Sequence, residues 1–173
     1  MKDVRMFIGQ AKSQQSGKQS GFVLITALIL VVILTILALA GEVLNSTQTR
    51  IAANTASQQT TFQAAEGALN QAQTDLYTGL YTKASFLANS NGLYTYNQNA
   101  APLWTTVNWN SGGVIVSAWG GLPTGVRAAF IIEMMPSVNL PGGPSNVYRI
   151  TAYATQSSGG SPIMLQSMVL IPI

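Results

Sequence analysis

Histidine and cysteine are both absent from the 173 residues, leaving five acids, eight bases and a population of hydroxyls as the side chains with chemistry to offer. Without imidazole or thiolate there is no Ser/His/Asp or Cys/His nucleophile system, and no zinc site built on those ligands. Beyond residue 21 no nucleophile is paired with a base, so no catalytic residue, metal or cofactor is expected. The absence of cysteine also removes any disulfide as a sign of an oxidising compartment. The most distinctive local feature is a junction, Ser20-Gly21-Phe22, where a polar, basic stretch gives way to an apolar run.

The charges are few and uneven. Only 8% of residues are Asp, Glu, Lys or Arg, against about 25% in an ordinary soluble protein, so Ser, Thr, Asn, Gln and Gly must cover the surface, as suits the outside of a cell. Lys2, Arg5, Lys12 and Lys18 against Asp3 account for the whole net charge of +3 before residue 22. After it, Arg50, Lys83, Arg127 and Arg149 balance Glu42, Glu66, Asp75 and Glu133. The basic pI is therefore a property of the leading segment, and the clustered cations that nucleic acid requires are missing from the rest.

From Phe22 to Gly41 the chain runs for 20 residues without a charge. As a helix this spans ~30 Å, the thickness of a bilayer's hydrocarbon core. The cations precede it and Glu42 follows at once, which places the N-terminus in the cytoplasm and the remainder outside a single-pass membrane anchor. Two plainer readings compete. Ala38-Leu39-Ala40 is an A-x-A pattern of the kind that ends a secretory signal peptide, although the apolar run exceeds the usual h-region of about 7 to 15 residues. A simple signal anchor explains the hydrophobicity and orientation equally well, but not the character of the Gly21-Phe22 junction.

That junction resembles the class of prepilins with a class III leader. The resemblance implies that residues 1–21 are removed by a prepilin peptidase cutting after Gly21, that Phe22 becomes N-methylated, and that the helix 22–41 is kept as the core of a helical filament. The fifth mature position departs from the pattern. Most pilins carry Glu there, to neutralise a neighbouring subunit's N-terminal ammonium, and a buried unpaired ammonium costs several kcal/mol. Here the residue is Thr26. Glu42 lies about 24 Å further along a helix and cannot substitute. Threonine at this place is similar to a minority of pilin-like proteins thought to sit at or near a filament tip. A plainer role is shared with Ala27, Thr35, Ala38 and Gly41, small residues that let helices pack closely.

The elements that must carry these residues follow. No proline interrupts Glu42 to about Thr82, and Ala, Gln and Leu favour helix. A heptad-like series runs through Leu44, Gln48, Ile51, Thr55, Gln58, Phe62, Ala65, Leu69, Ala72 and Leu76, half polar up to Gln58 and apolar from Phe62 onward. The pattern predicts one long helix, its 42–82 half extracellular and its 55–82 part packed on a globular domain through Phe62, Leu69 and Leu76, with Gly79 as terminator. The stretch Gln63 to Ala72 resembles the Ala-Glu-x-Ala-Leu stretch of PilX-type minor pilins, and the whole resemblance covers roughly residues 17 to 76.

Residues 83–125 read as a loop-rich connection with short strands around Leu103 to Val107 and Val114 to Trp119. Trp104, Trp109 and Trp119, with Tyr94 and Tyr96, are a candidate partner-binding or glycan-binding face, or else pin this loop to a small core. Strands are expected at Arg127–Met135, Val147–Gln156 and Ile163–Ile171, separated by turn-rich 136–145 and 157–162, as an antiparallel sheet over 126–173. Tyr148, Ile150, Ala152 and Ala154 share one face, as do Ile163, Leu165, Val169 and Ile171. Small residues at 152 and 154 would admit a helix. Glu133 and Arg149 can pair across neighbouring strands, and as an exposed pair would contribute under about 1 kcal/mol.

The fold class is therefore α+β, of the type IV pilin-like kind, with no C-terminal disulfide of the sort many major pilins carry. The resemblance implies a minor subunit that primes a type IV pilus or joins its tip complex, with a part in adhesion and twitching motility. Its implied partners are other minor pilins, the major pilin, the prepilin peptidase and a tip adhesin, and its implied location is the inner membrane, then the cell-surface pilus. The alternatives are a type II secretion pseudopilin, and an adhesive or lectin-like domain on a signal anchor that leaves Phe22 unprocessed.

Overall fold

The computed structural model describes residues 20–173, so all but the last two residues of the expected leader lie outside the described residues. With no proline to break it, the chain from Ser20 to Tyr77 forms one 58-residue helix, α1. It ends in a Schellman motif: Leu80 N donates to Asp75 O at 3.0 Å and Gly79 N to Leu76 O at 3.1 Å. Gly79 takes the positive φ of 71° that this cap needs. The protein divides into two compact units, residues up to Arg50 and residues from Ile51 onward.

In the first unit every residue from Phe22 to Arg50 is exposed. Between Phe22 and Leu39 its Val, Leu, Ile and Phe side chains point out on all sides of the helix, at 50–73% exposure. A helix apolar all round is stable when surrounded by lipid or by other helices, and this one is long and apolar enough to cross a membrane.

In the second unit, the part of α1 from Ile51 packs on a five-stranded sheet. The strands are β1 (Leu93–Thr95), β2 (Ile115–Val116), β3 (Val126–Leu140), β4 (Gly143–Gln156) and β5 (Ile163–Pro172), with short helices α2 (Lys83–Leu87) and α3 (Leu103–Thr106). The path is β1-β3-β4-β5, and β2 pairs with β3 beside β1. The antiparallel meander β3-β4-β5 forms as expected, with Glu133 opposite Arg149 and Tyr148 opposite Val169. The sheet as a whole is mixed rather than antiparallel, because β1 joins β3 in parallel. Residues 136–145, expected as a turn-rich separator, mostly extend the β3-β4 hairpin. The register slips between Met135 and Val138, where Pro136 has no N–H to give the ladder.

The strand expected at Leu103 to Val107 is instead α3, entered from Pro102. Its two threonines bond locally, Thr105 Oγ1 to Pro102 O and Thr106 Oγ1 to Leu103 O. The strand expected at Val114 to Trp119 shrinks to Ile115–Val116.

Both sheet faces carry a core. On the helix side, Ala64, Ala65, Ala68, Ala72 and Leu76 meet Phe130, Ile132, Ile150, Ala152 and Ala154, and the facing alanines let backbone approach backbone. On the far side, Tyr94, Leu103, Trp104, Val107 and Trp109 pack against Val114, Ala129 and Ile131, so this part of the connection 83–125 is a cover, while Phe86 and Leu93 of the same connection enter the helix-side core. Leu76 is buried and Leu69 half-buried at the margin, whereas Phe62, expected in this core, is 46% exposed. The buried stripe begins at Thr61 and follows the alanines, which puts Phe62 about 90° around the helix from its centre.

Candidate functional site

The residues singled out in the apolar helix are all on α1 and all open to the surroundings. Gly21 and Phe22 lie in its first turn. Thr26 Oγ1 donates to the carbonyls of Phe22 and Val23, both at 3.0 Å, and Thr35 Oγ1 donates to Val31 O at 2.6 Å. Each hydroxyl proton is thus used within the helix, and neither threonine brings an unsatisfied donor into an apolar medium. Thr26 has no charge with which to neutralise an ammonium. Ala27, Ala38 and Gly41 fall within about 60° of one another around the helix. A Cβ added at Gly41 would meet nothing within 4 Å, so the stripe is a shallow, unfilled strip on the surface of the first unit.

The three tryptophans do not form one face. Trp109 stacks on Tyr153 of β4, ring centres 4.9 Å apart and planes 16° from parallel, and its Nε1 donates to Trp104 O at 3.3 Å. Arg127 Nη1 donates to Trp109 O, tying the cover to β3. Trp104 and Trp109 are therefore half-buried parts of the far-side core. Trp119 lies on the opposite side of the sheet, against α1, and is 40% exposed. Its indole occupies the space that a side chain at Gly67 or Gly121 would fill, a Cβ at either falling 2.5 Å from the ring. Gln71 Oε1 holds the adjoining backbone, accepting from Ser117 Oγ at 2.8 Å and from Ala118 N at 3.0 Å. Beside Trp119 an open groove runs along α1 past Gln63, Asn70 and Thr74. A lone mid-helix glycine at 67 was the available sequence signal for this close approach; nothing marked Gln71.

The charged pair differs from its expected exposed state. Arg149 Nε and Nη2 each lie 2.9 Å from a Glu133 carboxylate oxygen, and the two side chains are 13% and 3% exposed. The Tyr96 ring lies 5.2 Å from the guanidinium carbon. The hydrogen bonds to Glu133 push the Arg149 guanidinium still higher, outweighing the opposing effect of burial. A permanently charged arginine, bonded to both carboxylate oxygens, fastens β3 to β4; it does not shuttle protons. Among the described residues no cluster of three or more His, Cys, Asp or Glu side chains is placed to hold a metal.

Comparison with protein families matches residues 20–70 to PilX N-terminal, the segment that runs from the Gly21-Phe22 junction into the alanine-rich face of α1. Neither curated proteins nor solved structures give a match.

Proposed function

We propose that this chain, a pilin-like protein associated with type IV pili through its PilX-type residues 20–70, is a minor subunit that primes filament assembly or sits in the tip complex. The observation that carries the reading is the apolar helix from Phe22 to Gly41, exposed on every side. Such a surface needs lipid before assembly and a bundle of like helices after it. The prepilin peptidase would cut after Gly21, and Phe22 would be methylated and lead the helix out of the inner membrane. Thr26 supports a place at or near the tip, because a subunit with none ahead of it has no ammonium to neutralise, and the Thr26 hydroxyl is satisfied by its own helix. The role is structural. The major pilin, other minor pilins and a tip adhesin would be its neighbours.

The test is genetic and biochemical together. Deletion of the gene should sharply reduce surface filaments, the wild-type chain should restore them, and the chain should copurify with sheared filaments at far below the major subunit's abundance. Normal piliation without the chain, or its retention wholly in the membrane fraction of piliated cells, contradicts the proposal.

A further inference from the structure

β5 ends the sheet. Its ten residues pair with β4 in an unbroken antiparallel register from Ile163 opposite Ala154 to Pro172 opposite Ser145, and among the described residues no other strand lies on its outer side. The N–H and C=O groups directed away from β4 therefore form a row with no protein partner in the described residues. Soluble proteins blunt such edges with lysine, proline, a bulge or an inward-pointing charge. β5 has none of these between Pro162, which precedes it, and Pro172, its last residue, and the last charged residue of the sequence is Arg149, already held by Glu133.

The side chains at this edge are mostly apolar on both faces, the polar exceptions being Gln166, which donates to Thr151 Oγ1, and Ser167, which accepts from Gln73 Nε2. Met164, Met168 and Leu170 are 39%, 59% and 43% exposed on the face away from α1. Val138 and Leu140 continue that face onto the hairpin, since Val138 lies opposite Ser145, which in turn lies opposite Pro172. On the α1 side, Ile163, Leu165 and Ile171 are half-buried, packed on the core but incompletely covered.

We propose that the free edge of β5 receives an extended strand from a different chain of the same assembly, adding a sixth strand to the sheet. The row of backbone donors and acceptors identifies the occupant as a strand, because neither a helix nor a lipid can supply those hydrogen bonds. The lack of charge and the apolar neighbours on both faces require an uncharged run, apolar at successive positions rather than alternate ones, and about eight to ten residues long to match β5. The identity of the donor as another filament subunit rests on the function proposed above; the strand character of the contact does not.

The experiment uses the full chain in its own cells, with a benzophenone side chain replacing Met164 or Met168 and, as control, Asn99 in the exposed connection. Adducts formed on illumination are mapped by mass spectrometry, and the N-terminus of the adducted chain is read. The expected result is that positions 164 and 168 join one uncharged segment of a different chain, at sites four residues apart in reversed or matching order, while position 99 does not. Leu170→Lys, at an exposed side chain, should lower the adduct yield several-fold with unchanged thermal unfolding. Adducts only to a second copy of this chain, adducts into a helical segment, or no adducts overturn the proposal. Strand adducts on a chain whose Phe22 is unprocessed would leave the edge contact standing and remove the pilus reading; a methylated Phe22 without adducts would do the reverse.

Discussion

Arg149 meets Glu133 from the directly paired position on the neighbouring strand, with two parallel hydrogen bonds of 2.9 Å beneath the Tyr96 ring. Both groups have left water, so the pair's value lies in what happens when one member is lost. Arg149→Met strands a buried carboxylate and should destabilise the second unit by about 3–5 kcal/mol. The double variant Arg149→Met, Glu133→Leu should recover most of that loss. Denaturant unfolding of the purified chain in detergent checks both, and simple additivity of the two single losses would contradict the account.

Gly67 should resist substitution despite its place in a helix. Alanine is favoured by about 1 kcal/mol on propensity, but its Cβ would fall 2.5 Å from Trp119 Cε3. Gly67→Ala is expected to expel the indole, red-shifting tryptophan emission and lowering stability. In a Trp119→Ala background the same change should become stabilising, which a double-mutant cycle reads directly.

The Tyr81 phenol, which donates to Asp75 Oδ2 at 3.3 Å, is pushed from 10.0 up to about 12, first by burial and then by the Asp75 charge and hydrogen bond. The fold favours the protonated phenol. Its contribution to stability is therefore complete below pH 10 and is lost as pH rises through about 12. Burial also raises the Tyr148 phenol, so spectrophotometric alkaline titration should show more than one late-titrating tyrosine, of which one component disappears in Tyr81→Phe and shifts to a lower midpoint in Asp75→Asn while the Tyr148 component stays.

Thr26 should tolerate loss of its hydroxyl better than gain of a charge. Because Oγ1 bonds only to carbonyls of its own helix, Thr26→Val should change stability by less than about 0.5 kcal/mol and leave incorporation into filaments unaltered. Thr26→Glu should still be processed at Phe22 but appear along the shaft, as immunogold labelling would show. Unchanged placement of the glutamate variant would argue against a tip role.

Much of this architecture was legible because it is local. The proline-free run and a terminal glycine gave α1 and its cap at Gly79, although the helix stops at Tyr77 rather than at the expected 82, and the alternation in Tyr148 to Ala154 gave β4 and its inward face. Phe62 was misplaced because a seven-residue spacing favours large side chains, whereas the real stripe follows the alanines, whose small size is what brings α1 onto the sheet. The parallel strand β1 and the far-side cover were hidden for a different reason. Leu93 pairs with Ile132, and Trp109 stacks on Tyr153; such contacts between distant segments leave no period in the sequence. The places of Glu133 and Arg149 on neighbouring expected strands suggested their pairing, but their burial depends on that same cover. At the candidate site, the residue types of Phe22 and Thr26 were plain, while the self-satisfied state of Thr26 required the helix geometry.

The central claim, that the apolar helix is retained and led by Phe22, is tested most directly by N-terminal sequencing and intact-mass measurement of the protein from its native cells. The account predicts a chain that begins at N-methylated Phe22. A chain beginning at Gly41, cut after Ala38-Leu39-Ala40, would show ordinary secretion, and one still beginning at Met1 would show a simple tether; either result contradicts it.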